Sequence, residues 1–97
     1  MKLLYSANGE FPVDIPKGTI VKLVWTDVMG GRNKRRELPS TVKEFLPVST
    51  DYGEIYIVDE GGVCILHVNL VPGPLAEDVV EYTTYPWGVI DYIYELR

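Results

Sequence analysis

The stretch Gly53-Glu54-Ile55-Tyr56-Ile57-Val58-Asp59-Glu60-Gly61-Gly62-Val63-Cys64-Ile65-Leu66-His67-Val68 decides the fold. Two runs rich in β-branched and aromatic residues flank an acidic loop with two glycines, which is the pattern of a β-hairpin. The first arm is read as 53–58 and the second as 63–71, ended by Pro72-Gly73-Pro74. In the second arm, positions 64 and 67 differ by an odd number, so Cys64 and His67 point to opposite faces of a regular strand. That parity argues against a nucleophile and base pair between the only thiol and the only imidazole. Cys64 shares a face with Leu66, Val68 and Leu70 and is expected to be a small buried hydrophobe. His67, beside Val63, Ile65 and Asn69, is expected on a half-exposed surface.

Upstream, Ile15-Pro16-Lys17-Gly18 has Pro second and Gly fourth, the type I turn signature, and should launch a strand from Thr19. In that strand Val21, Leu23 and Trp25 share one face, with Trp25 as a core anchor, while Lys22 and Thr26 take the other. Met29 to Asn33 reads as a flexible turn, with Lys34 to Leu38 returning antiparallel as a protruding second arm. Pro39 and Pro47 bracket Ser40 to Leu46, which is either one helical turn capped by Ser40, with Val42, Phe45 and Leu46 inward, or a further strand.

Downstream, Leu75 to Tyr82 reads as a short amphipathic helix. Pro74 suits its first turn, Glu77 and Asp78 favour its N-terminal dipole, and Leu75, Val79 and Tyr82 share a face. Val89 to Leu96 alternates Ile90, Tyr92, Tyr94 and Leu96 with Asp91 and Glu95 and reads as the last strand. The fold class is therefore mainly β: a small antiparallel barrel or curled sheet of five to six short strands with one short helix. The segment Ile15 to Val21 resembles the turn-and-strand opening of small Src-homology-type barrels. That likeness covers these residues alone and assigns no role to any of them.

Ninety-seven residues leave room for one domain, expected to span 1–97. The apolar patch Leu3-Leu4-Tyr5 ends at Ser6, so no signal peptide is expected, and no apolar run approaches the ~20 residues that span a bilayer. One cysteine excludes an internal disulfide and multi-cysteine zinc sites, which favours a reducing, cytoplasmic setting. Asp59-Glu60 supplies two adjacent carboxylates where a calcium loop needs alternating oxygen ligands, and neither glycine pair forms a phosphate-cradling loop. No metal, cofactor or catalytic residue is expected.

Charge placement is more informative. Residues 1–31 are neutral overall, Arg32, Lys34, Arg35 and Arg36 put +4 into five residues, and residues 37–96 hold Lys43 against eleven acids. With a net charge of −5, an overall nucleic-acid-binding face is disfavoured. The C-terminal region intersperses carboxylates with aromatics, and Glu77, Asp78, Glu81, Tyr82, Tyr85 and Trp87 form the candidate partner-binding set. There Tyr82, Tyr85 and Trp87 are expected exposed, and Tyr92 and Tyr94 core. The expected function is a non-enzymatic module that binds a protein with a basic surface, in its sharpest form an inhibitor covering a nucleic-acid-handling site. One alternative is weak nucleic-acid or phosphate binding through Arg32, Lys34, Arg35 and Arg36. Another is a small enzyme using His67 or surface carboxylates such as Asp78 and Glu81. The chain is expected as a monomer or, through edge strands or a swapped arm near Met29, a homodimer.

Overall fold

The computed structural model describes residues 1–10, 13–28, 30–67 and 80–96. Among them are strands β1 (Lys2–Ser6), β2 (Ile20–Thr26), β3 (Val48–Asp59), β4 (Gly62–His67), β5 (Glu81–Pro86) and β6 (Ile90–Glu95). A four-residue helix α1 (Val42–Phe45) and 3-10 turns at Arg35–Glu37 and Trp87–Val89 complete the described elements. The strands form one sheet in the order β1-β6-β2-β3-β4-β5, every neighbouring pair antiparallel. The sheet is curled rather than closed. Its edges approach through side chains: Tyr5 of β1 packs its ring 4.8 Å from that of Trp87, which directly follows β5.

The decisive hairpin forms as its sequence dictates. Asp59 pairs with Gly62 across a two-residue turn, and the Asp59 carboxylate accepts from the Gly61 amide at 2.8 Å. Gly62 is required twice over. Its φ of +154° lies where side chains are strained, and a Cβ there would collide with the Tyr85 backbone of β5. β3 runs back to Val48, further than its sequence suggests, because all of β2 from Ile20 to Thr26 pairs with Glu54 to Val48.

The concave face holds the core: Val21 and Leu23 of β2, Ile55 of β3, Val63 and Ile65 of β4, and Ile90 and Ile93 of β6 are all essentially inaccessible. Burying each such side chain contributes about 1.5–3 kcal/mol. Trp25 lies half-buried against this cluster on the expected face of β2.

Several expectations are corrected. In β4 the two faces are exchanged: Val63 and Ile65 fill the core, and Cys64 is half-buried on the convex side. Both faces of this run are apolar, so alternation fixed the parity of Cys64 and His67 but not which side faces inward. The first turn is closed one residue later than read. Thr19 N–H donates to Pro16 O, and Gly18, at φ +92°, takes the third position, as a type II turn requires. Lys34 to Leu38 makes no second arm. A 3-10 turn forms there, and β2 is instead paired on both sides by β3 and β6. The helical alternative for 40–46 holds, but Thr41 is the cap, accepting from Glu44 N–H while its hydroxyl donates to the Glu44 carboxylate. Val42 is 72% exposed and Phe45 is also exposed, so this turn has no buried face.

The helix expected over 75–82 falls mainly outside the described residues. Its last two positions, Glu81 and Tyr82, belong to β5, where β4 supplies the pairing partners His67 and Leu66. In β6, Trp25 pairs with Ile90 and Val24 with Tyr92, leaving Asp91 as an extra residue. This bulge brings Ile90 and Ile93 to the same inner face and turns Tyr92 outward. No helix among the described residues is long and apolar enough to cross a membrane.

Candidate functional site

The convex face of the sheet is where exposed chemistry accumulates. Strand register places Leu3, Tyr94, Lys22 and Tyr52 in one row across β1, β6, β2 and β3. A second row runs Ile20, Glu54, Leu66 and Tyr82 across β2, β3, β4 and β5. Tyr92 pairs with Val24 beside the first row. Tyr52, Tyr82 and Tyr92 are 54%, 66% and 43% exposed, and Leu3 and Ile20 are exposed as well. A single sheet needs one apolar face to fold, and the other is ordinarily polar. Here the second face also carries large apolar and amphipathic side chains. The Tyr92 and Tyr94 rings lie 5.9 Å apart, and Lys22 Nζ stands 5.8 Å from the Tyr94 ring centroid, so part of this face is held by its own side chains.

Of the six expected partner-binding residues, Glu81 and Tyr82 are exposed on β5, whereas Glu77 and Asp78 lie outside the described residues. Tyr85 and Trp87 do not belong to a surface. They are 2% and 7% exposed, the Trp87 indole N–H donating to Asp59 O at 2.7 Å. The division expected between core and exposed aromatics is thus reversed, with Tyr92 outside and Tyr85 and Trp87 inside. The cause lies in strand parity: Tyr85 pairs with the inward Val63, and the bulge at Asp91 shifts Tyr92 out.

Arg32, Lys34, Arg35 and Arg36 are all exposed on the segment joining β2 to β3. None makes an ion pair with a described carboxylate. This segment touches the tyrosine face through α1. A groove of about 580 Å³ lies between them, lined by Lys43 and Leu46 on one side and by Val24, Val48, Asp91 and Tyr92 on the other.

A second constellation, inside the curl, was not legible in the sequence. His67 Nδ1 faces Tyr52 O at 3.3 Å and Nε2 faces Thr83 Oγ1 at 2.6 Å. Across the same inner face the half-buried Asp51 carboxylate accepts from the Trp25 indole N–H at 3.0 Å and from the Tyr85 hydroxyl. Burial raises the Tyr85 phenol above its ordinary 10.0, the hydrogen bond to Asp51 and that residue's negative charge add to the rise, and the Thr83 hydroxyl opposes it. Asp51 shares inward parity with Gly53 and Ile55. Reading β3 back past Gly53 was the signal that would have found it. His67 therefore meets a hydroxyl directly, and a carboxylate only through two intervening hydroxyls.

Among the described residues no group of three or more His, Cys, Asp or Glu side chains is arranged to hold a metal ion. Compared with known proteins, this chain matches no family model, no curated protein and no solved structure.

Proposed function

We propose that the chain is a small non-enzymatic binding module that grips another protein through the convex face of its sheet. The observation carrying this reading is the registered set Tyr52, Tyr82, Tyr92, Ile20 and Leu3, exposed on a face the fold does not need for its core. Tyrosines give large, stiff contact area with a polar tip, and exposed apolar patches of this kind mark interaction sites. Glu54 lies within the patch and Glu81 adjoins Tyr82, so the face favours a basic partner surface. The sharper form is an acidic inhibitor that occupies a basic, nucleic-acid-handling site on its target. The net charge of −5 and the concentration of acids after residue 36 support it. The test is binding of a captured protein partner by the Tyr52→Ala/Tyr82→Ala/Tyr92→Ala variant. Affinity falls at least tenfold if the face is the grip and stays unchanged if it is not.

A second reading has its own observation. Four exposed cations within five residues, none paired with a described acid, suit phosphate contacts. On this reading, nucleic acid binds with a steep salt dependence that Arg35→Ala/Arg36→Ala flattens. A third, a small enzyme, draws on the contact between His67 and Thr83 alone.

A further inference from the structure

The polar chain inside the curl has a direction that protonation of His67 must reverse. Tyr52 O is a carbonyl and only accepts, so in the neutral ring the proton resides on Nδ1 and Nε2 is the acceptor. Thr83 Oγ1 then donates to Nε2 at 2.6 Å. Further along, the Tyr85 hydroxyl donates to Asp51, which leaves its oxygen lone pair available to Thr83, whose hydroxyl lies near enough to act on Tyr85's ionisation. Trp25 Nε1–H closes the chain on the same Asp51 oxygen.

We infer that His67, Thr83, Tyr85 and Asp51 form a hydroxyl relay that reports the protonation of His67 to Asp51 and Trp25. When Nε2 gains a proton it becomes a donor, and Thr83 Oγ1 must accept from it. The freed Thr83 proton turns to Tyr85 Oη, while the Tyr85 proton stays on Asp51. All bonds then point from the imidazolium to the carboxylate. Each added bond in such a chain polarises the next. The device ties β4 to β5, β3 and β2, and acid tightens it. It rests on the inner face and is independent of the binding reading. Among the described residues, the titratable groups around His67 are Glu81, opposite it in register on β5, Tyr85 on β5, Asp51 and Glu54 on β3, and Cys64 on the far face of β4.

The test is an NMR titration that follows the His67 ring signals together with the Trp25 indole N–H signal, the latter assigned with Trp25→Phe. In the native chain the indole signal moves with the same midpoint as His67. Thr83→Val, nearly isosteric, abolishes the indole movement while His67 still titrates; Thr83→Ser retains it, and so does Glu81→Gln. His67→Gln gives a static indole signal in the folded protein. An indole signal that stays fixed in the native chain while His67 titrates overturns the relay. So does one that moves equally in Thr83→Val, or one lost in Glu81→Gln.

Discussion

The two faces of this sheet differ in what holds them. The concave face is closed on itself: Val21, Leu23, Ile55, Val63, Ile65, Ile90 and Ile93 exclude water, and the polar groups among them are partnered. The convex face bears Tyr52, Tyr82, Tyr92, Ile20 and Leu3 with large exposed areas and one acid and one base, Glu54 and Lys22, set among them. Stability requires the first arrangement and gains little from the second. Side chains whose burial is not secured by folding are available for burial by a partner, and this contrast is the physical basis of the binding proposal.

The largest effects are expected on the concave side. Leu23→Ala or Ile65→Ala removes a fully buried side chain and should lower stability by about 2–5 kcal/mol, measured by urea denaturation. A loss below 1 kcal/mol would show that the concave face is not the tight core described. Tyr85→Phe deletes the hydroxyl that donates to Asp51 and leaves a half-buried carboxylate with one donor fewer. About 1–3 kcal/mol should be lost at neutral pH.

The same tyrosine sets a pH dependence. Its phenol is raised in the folded state, so the unfolded chain releases that proton first as pH rises. Stability from this group is complete below pH 10 and falls above it, and Tyr85→Phe should remove that part of the alkaline slope. Smaller still is Thr41→Ala, which removes the cap of α1 and costs about 0.5–2 kcal/mol of local helix stability, read by amide hydrogen exchange at Glu44. The smallest stability change belongs to the convex face. Tyr82→Ala and Tyr92→Ala should each stay within about 0.5 kcal/mol of the native chain. A loss approaching that of Leu23→Ala would erase the contrast between the faces.

What the sequence made legible follows the strength of local signals. The hairpin over 53–68 combined β-rich runs with a glycine turn and was unambiguous, as was the face of β2 carrying Val21 and Leu23. Strand parity was legible but its sign was not wherever both faces are apolar, and so Cys64 and His67 were assigned to the wrong sides. The bulge at Asp91 leaves no mark in the residues themselves, since it arises from pairing with β2, and it exchanged the expected roles of the C-terminal aromatics. β1 was read only as a short apolar patch, because its pairing with β6 is a contact across almost the whole chain. The cluster of cations was evident from composition; that it lies on a 3-10 turn rather than a strand was not.

The central claim is that the convex face binds a protein. The most direct measurement is parallel affinity capture from native lysate, nuclease-treated, with the native chain, Tyr52→Ala/Tyr82→Ala/Tyr92→Ala and Arg35→Ala/Arg36→Ala as baits, and retained proteins quantified by mass spectrometry. The account predicts one stoichiometric protein held by the native chain and the arginine variant and lost from the tyrosine variant. Retention unaffected by the tyrosine substitutions, or abolished by nuclease and by the arginine substitutions, would contradict it.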